Sequence, residues 1–208
     1  MIVAVDGPTA SGKGTIAQAL AAHFGLPHLD TGLLYRAVGR QCFLDGGDPD
    51  DAAQALAATS FPDALLSDPE LRSEASGGLA SRVSLHPVVR QALFDRQRQF
   101  ATQPGGAVLD GRDIGTVIAP DADVKLFVTA SVAARAERRF REMQQQRRET
   151  ALDAISADLA ERDLRDATRS AAPLIQAEDA VLLDTSLLTR DEAIRRAIAL
   201  VDLKLGRS

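Results

Sequence analysis

The chain contains no asparagine, a single cysteine and only three lysines, Lys13, Lys125 and Lys204. A lone Cys42 cannot form an internal disulfide, which suits a reducing compartment. No apolar stretch approaches the roughly 18 residues that a membrane-spanning helix needs. The formal charge of −5 argues against a generic nucleic-acid binder, because displacing phosphate counterions takes an excess of Lys and Arg. Any anion recognition must therefore be local. "MIVAVDG" enters a strand-like run without a basic leader or a small-residue cleavage site, so a cytoplasmic protein is expected.

What is present is ordinary for a globular domain: 208 residues, 45% hydrophobic and 25% charged, enough for one well-cored unit. Four short β-branched runs read as buried strands: "IVAVD" (2–6), "GAVLD" (106–110), "VKLFVTA" (124–130) and "AVLLDTS" (180–186). Helical patterns separate them, and this alternation predicts an α/β fold with parallel strands and ligands at their carboxyl ends. The first helix should run from Lys13 to His23 or Phe24, stopping at Gly25, with Ile16, Ala17, Leu20 and Phe24 on one face. "PHLD" is a short extended piece, and "TGLLYRAVGRQCFLDGG" a second helix for which Asp30 is the expected cap. Residues 60–86 read as an irregular insertion, broken by Pro62, Pro69, Gly77 and Gly78. Pro87 opens the next helix, and from Ser131, a candidate N-cap, to about Arg169 the chain is almost wholly helical in propensity. A last helix from about Arg190 to Leu205 should pack on the sheet through Ala193, Ile194, Ala197, Ile198 and Val201.

The chemistry-bearing stretch is "GPTASGKGT", comprising Gly7, Pro8, Thr9, Ala10, Ser11, Gly12, Lys13, Gly14 and Thr15. It lies between a strand and a helix, where backbone N–H groups and the helix N-terminus face an incoming anion. Lys13 would reach the β- and γ-phosphates of a bound nucleotide. In the usual phosphate loop a hydroxyl directly follows the lysine and binds Mg²⁺; here Gly14 stands there and Thr15 comes one residue late. One residue is about 100° of helix rotation, so Thr15 should touch the α- or β-phosphate instead. Mg²⁺ would be held mainly by nucleotide oxygens and water. Asp110, at the end of "GAVLD", is then the expected metal ligand, acting through water.

Lysine followed by Gly-Thr resembles the nucleoside monophosphate kinases. Four further blocks, "DTGLLYR" (30–36), "VVRQALFDRQR" (88–98), "DGRDIGTVIAPDA" (110–122) and "ERDLRDATRSAAPL" (161–174), together resemble the bacterial cytidylate kinases over nearly the full chain. The resemblance implies a P-loop fold with a five-stranded parallel sheet flanked by helices. It also implies a monophosphate-binding insertion over about 31–95 and a short lid over about 143–160, with the core in about 1–30, 96–142 and 161–208. It implies phosphorylation of CMP and dCMP by ATP with Mg²⁺, in a protein taken to be a monomer. The acceptor's phosphate would meet Arg36, Arg112 and Arg169, the cytosine Ser81, Arg90 and Asp113, and the sugar Arg162 and Asp166. Thr31 and Tyr35 join the acceptor site, with Thr31 standing where the family pattern has serine. Lys13, Arg112 and the lid arginines Arg138 and Arg139 would offset charge on the transferred group.

Cytosine presents an amino donor beside ring-nitrogen and carbonyl acceptors, so Asp113 can accept from the amino group while Arg90 donates to the other edge. Arg96 and Arg98 read as solvated helix positions, and Cys42, His23, His28 and His86 as structural. An alcohol-phosphorylating kinase would need a carboxylate base, for which Asp6 or Asp30 could serve; an adenylate kinase would need a purine-sized pocket. A guanine-reading switch needs an Asn-Lys-x-Asp motif, which a chain without asparagine cannot contain.

Overall fold

The computed structural model describes residues 1–145 and 150–207. Five parallel strands form one sheet in the order β2-β3-β1-β4-β5: β1 Ile2–Asp6, β2 His28–Asp30, β3 Ala107–Gly111, β4 Val124–Thr129 and β5 Val181–Asp184. Val3, Ala4 and Val5 of β1 are fully buried, as expected of a central parallel strand covered on both faces. The four predicted strands are present, the first with its bounds unchanged and the other three with ends displaced by one or two residues, and "PHLD" supplies the fifth.

Alternation along β1 divides the core. Val3 and Val5 face helix α1 (Lys13–Phe24) and the last helix α8 (Arg190–Lys204), packing with Ile16, Leu20, Ala197 and Val201. Ala4 faces the other side, with Leu109, Ile114 and Ala101. Helix α1 ends at Gly25, whose φ of 65° suits the left-handed cap, and α8 opens on a capping box between Thr189 and Glu192.

Helices α2 (Thr31–Leu44), α3 (Ala52–Ala57), α4 (Glu74–Val83) and α5 (Pro87–Ala101) share a separate core of Leu34, Val38, Leu71, Val83, Val89 and Leu93. The irregular reading of 60–86 holds only for its first part, where short 3₁₀ turns run through Asp63–Ser67 and Pro69–Arg72. Gly77 and Gly78 do not break the chain: both lie inside α4. A Cβ at Gly77 would stand 3.1 Å from guanidinium nitrogens of Arg36 and Arg162, so the glycine admits two arginines against the helix.

The stretch from Ser131 onward is two helices, α6 (Val132–Gln145) and α7 (Leu152–Thr168), with Thr150 and Ala151 non-helical before α7. They pack through Ala136, Met143, Ile155 and Leu159. The segment 143–160 therefore spans the end of α6 and the first half of α7, and its residues 146–149 lie outside the described residues.

Asp6, at the carboxyl end of β1, is buried and accepts from the backbone N–H groups of Ile114 (2.8 Å) and Gly115 (2.7 Å). This ties the central strand to the single π turn Ile114–Ile118 and so places the preceding pair, Arg112 and Asp113. Asp6→Ala would leave two buried donors unsatisfied, and unfolding by denaturant should show a loss on the order of 3 kcal/mol. A loss below about 0.5 kcal/mol would show that the carboxylate does not hold the turn.

Candidate active site

The loops at the carboxyl ends of β1, β2 and β3 open into one cleft of about 750 Å³, closed on its other sides by α2, α4, α6 and α7. The phosphate loop forms its floor. A Cβ on Gly7 would lie 2.0 Å from the Val128 carbonyl oxygen, so only glycine lets the loop leave β1 beside β4. Gly12, at φ 91°, caps α1 without any side-chain hydrogen bond to the first turn, whose N–H groups remain available to an anion. Thr9, Ala10, Gly12, Lys13, Gly14 and Thr15 line the cleft. Gly7, Pro8 and Ser11 do not: the Pro8 carbonyl accepts from Lys13 Nζ (3.4 Å), and the Ser11 hydroxyl is fully buried beneath the loop. Burial, reinforced by Arg112, pushes the Lys13 pKa down to about 8.

Asp30 and Asp110 are neighbours across β2 and β3, in register at the strand ends. Burial, then the adjacent Asp110 carboxylate, raises the Asp30 pKa. Asp30 occupies the N-cap position of α2, yet its side chain makes no capping hydrogen bond, so the capping role expected for it is not filled. His28 Nε2 lies 2.7 Å from Asp110 Oδ1. The opposite oxygen, Oδ2, would be 3.6 Å from a Cβ at Gly14, so position 14 faces this carboxylate. Thr31 Oγ1 donates to the Asp110 carbonyl (2.8 Å), which commits its proton and leaves the oxygen free only to accept.

Arginines dominate the walls. Arg36 Nη1 donates to the Leu71 (2.8 Å) and Ser73 (2.7 Å) carbonyls, and its pKa is lowered by burial and by Arg162, Arg139 and Arg112 nearby. Arg162 Nε stands 3.1 Å from Asp158. Arg90 forms a buried ion pair with Asp113 and lies over the Tyr35 ring, 5.5 Å from its centroid. Arg169 approaches the other Asp113 oxygen at 3.7 Å while its Nε donates to the Ala172 carbonyl. Arg112 Nε donates to Asp166 (2.7 Å) and Nη2 to Thr9 Oγ1 (2.5 Å). Cations and carboxylates line the cleft in nearly equal number, so in a chain of negative net charge the cationic side chains are concentrated here and mutually balanced.

A family model described as cytidylate kinase matches residues 3–203. The chain belongs to the cytidylate kinase family. The cytidylate kinase of Xanthobacter autotrophicus is 54% identical over 204 residues, covering 98% of both chains. That of Azorhizobium caulinodans is 54% identical over 206 residues, covering 99% of this chain and 100% of the relative. That of a Caulobacter species is 51% identical over 207 residues. Among solved structures, an uncharacterized protein from Eubacterium ventriosum superposes with a TM-score of 0.56 at 13% identity, over 97% of this chain and 98% of its own, a likeness of fold.

The residues that the cytidylate kinase resemblance implied for the acceptor, Thr31, Tyr35, Arg36, Ser81, Arg90, Arg112, Asp113, Arg162, Asp166 and Arg169, all line this one cleft. Arg138 and Arg139 line it too, but from α6, ahead of the segment assigned to the lid, and both are engaged. Arg138 donates to the Thr185 side chain and carbonyl, and Arg139 pairs with Glu74 (2.9 Å) and Glu142 (3.0 Å). Arg96 and Arg98 make exposed pairs with Asp63 and Asp121, in keeping with their solvated reading.

Three participants escaped sequence reasoning. Arg135, only 2% exposed, donates to the Ala130 and Thr9 carbonyls and pairs with Asp163. Nothing distinguishes it from its arginine neighbours on α6. Glu74 was hidden in the stretch read as irregular. His28 touches Asp110 only because β2 pairs with β3, which no local pattern reveals.

Proposed function

We propose that the chain transfers the γ-phosphoryl group of ATP directly to CMP and dCMP, giving CDP and dCDP. The observation that carries this reading is the buried Arg90–Asp113 pair facing the same cleft as Lys13. A carboxylate and a guanidinium side by side offer one acceptor and several donors, complementary to the amino, ring-nitrogen and carbonyl edge of cytosine. Uracil presents a carbonyl where cytosine has its amino group, and it would set two acceptors against each other at Asp113.

The acceptor's phosphate is already anionic and attacks the γ-phosphorus in line without a general base. Catalysis is then positioning and charge neutralisation. Lys13 faces the donor's terminal phosphates, Arg36, Arg112 and Arg169 hold the acceptor phosphate, with Arg112 also offsetting charge on the transferred group, and Arg162 with Asp166 takes the sugar. Arg139 would join the transferred group by exchanging Glu74 and Glu142 for phosphate. The helical cluster α2–α5 is read as the monophosphate-binding insertion, and the segment about 143–160 as the lid whose closure excludes water, the competing acceptor. Of the two candidate bases for an alcohol acceptor, Asp6 is bound to two backbone N–H groups and does not line the cleft, and Asp30 stands beside Asp110, where it would hold the metal.

The space in front of Gly14 suits Mg²⁺, which keeps several waters and binds through one or two carboxylates together with phosphates. Asp110 Oδ2 faces that space, with Asp30 beside it, so these two would hold the hydrated ion. The ion would offset negative charge on the β- and γ-phosphates. The protein is taken to act as a monomer in the cytoplasm; among the described residues no helix is long and apolar enough to cross a membrane.

An acceptor panel with Mg-ATP should rank CMP and dCMP above UMP and AMP, and a preference for AMP or UMP would sink the substrate reading. Asp113→Asn should lower kcat/KM for CMP by about 10- to 100-fold, the loss of a charge-assisted hydrogen bond, and narrow the ratio of CMP to UMP. The lowered Lys13 pKa means that the free enzyme carries this charge below about pH 8 and loses it above. Accordingly kcat/KM for ATP should fall as pH rises through about 8, while kcat holds to higher pH because bound phosphate favours the charged amine. A kcat/KM profile flat to pH 10 would contradict it.

A further inference from the structure

Thr9 has both of its main polar groups taken by arginines. Its Oγ1 accepts from Arg112 Nη2 at 2.5 Å, and its carbonyl accepts from Arg135 Nη1 at 3.1 Å. Each guanidinium is anchored in turn by a carboxylate of α7: Arg112 Nε on Asp166 at 2.7 Å, and Arg135 Nη1 on Asp163 at 3.0 Å, with a second contact from Nη2. Asp163 and Asp166 are three residues apart, neighbours on one face of that helix. The next loop residue, Ala10, adopts a left-handed φ of 60°, which an alanine adopts only under constraint. Its side chain packs against the α6–α7 cluster of Ala136, Met143, Ile155 and Leu159. Three independent links therefore dock the phosphate loop onto α6 and α7 at residues 9 and 10.

The geometry points to Thr9 as a positioning residue that couples the two substrates, transmitting between the acceptor site and the donor loop. This rests on the reading of Arg112 and Asp166 as acceptor contacts. A shift of α7 that grips the acceptor's sugar moves Asp166 and Asp163 together, and through Arg112 and Arg135 it displaces both ends of Thr9. The displaced peptide leads through Ala10–Gly12 into the first turn of α1, whose N–H groups face the donor in this reading. Ala10 offers α6 and α7 only an apolar contact, and the directional hydrogen bonds from Arg112 and Arg135 both end on Thr9. Because coupling is reciprocal, donor binding that fixes the loop presents Arg112 correctly and tightens acceptor binding by the same factor.

Calorimetric titration of CMP, without and with a saturating non-hydrolysable ATP analogue, reads this factor. The wild type should bind CMP at least about five-fold more tightly with the analogue. Thr9→Ser should keep that factor, and Thr9→Val, the same shape without the hydroxyl, should bring it towards one in a protein whose thermal unfolding is near that of wild type. Asp163→Asn, at a position that does not line the cleft, should reduce the factor as well. If Thr9→Val retains the wild-type factor, if Asp163→Asn does, or if Thr9→Ser loses it as fully as Thr9→Val, the proposal is overturned. CMP binding by the wild type that ignores the analogue overturns the proposal alone. A wild type that binds no CMP overturns the substrate reading on which it rests.

Discussion

The guanidinium of Arg112 joins three parts of the chain that are far apart in sequence. It sits at the end of β3, reaches Thr9 in the phosphate loop, and is anchored by Asp166 on α7. A largely enclosed cation needs partners, and the contacts of Arg112 to Thr9 and Asp166 tie the loop and the helix to the end of β3. The backbone does the complementary work on the other side of the same residue, where Asp6 holds the N–H groups of Ile114 and Gly115 and thereby sets the peptide that carries Arg112 and Asp113.

Around this centre the cleft stores its cations on its own anions. Arg90 rests on Asp113, Arg139 on Glu74, Arg162 near Asp158 and Arg112 on Asp166. Such pairs satisfy the groups without closing the site, since phosphate oxygens, with more charge and matching geometry, can replace a carboxylate in each. A protein with a net charge of −5 thereby presents a cluster of arginines at the cleft, these four each held beside a carboxylate. The same arrangement explains why single arginines on α6 have different roles despite similar sequence: Arg135 faces the loop and Asp163, Arg139 faces Glu74, and Arg138 faces Thr185.

Much of this was legible from local signals. Gly25 after an apolar helical stripe, Pro87 at a helix start, and β-branched runs such as "IVAVD" encode their conformations within a few residues, and the structure follows them. The phosphate loop was legible for the same reason: it lies between β1 and α1, with Lys13, Gly14 and Thr15 lining the cleft and position 14 facing Asp110. What remained hidden depends on contacts across the chain. Helix α4 runs through Gly77 and Gly78 despite weak glycine propensity, and at Gly77 the guanidinium groups of Arg36 and Arg162 pack where a side chain would stand. The Asp30–Asp110 pair and the His28 contact exist only through the pairing of β2 with β3, and the role of Arg135 only through the docking of α6 on the loop.

On the reading proposed above, carboxylate-held arginines change partners when nucleotides enter. A crystal structure of the chain with CMP and a non-hydrolysable ATP analogue should show cytosine seated between Asp113 and Arg90, with the acceptor phosphate among Arg36, Arg112 and Arg169 and the donor phosphates on Lys13. A complex in which Arg90 and Asp113 remain closed on each other while the base lies elsewhere would contradict it.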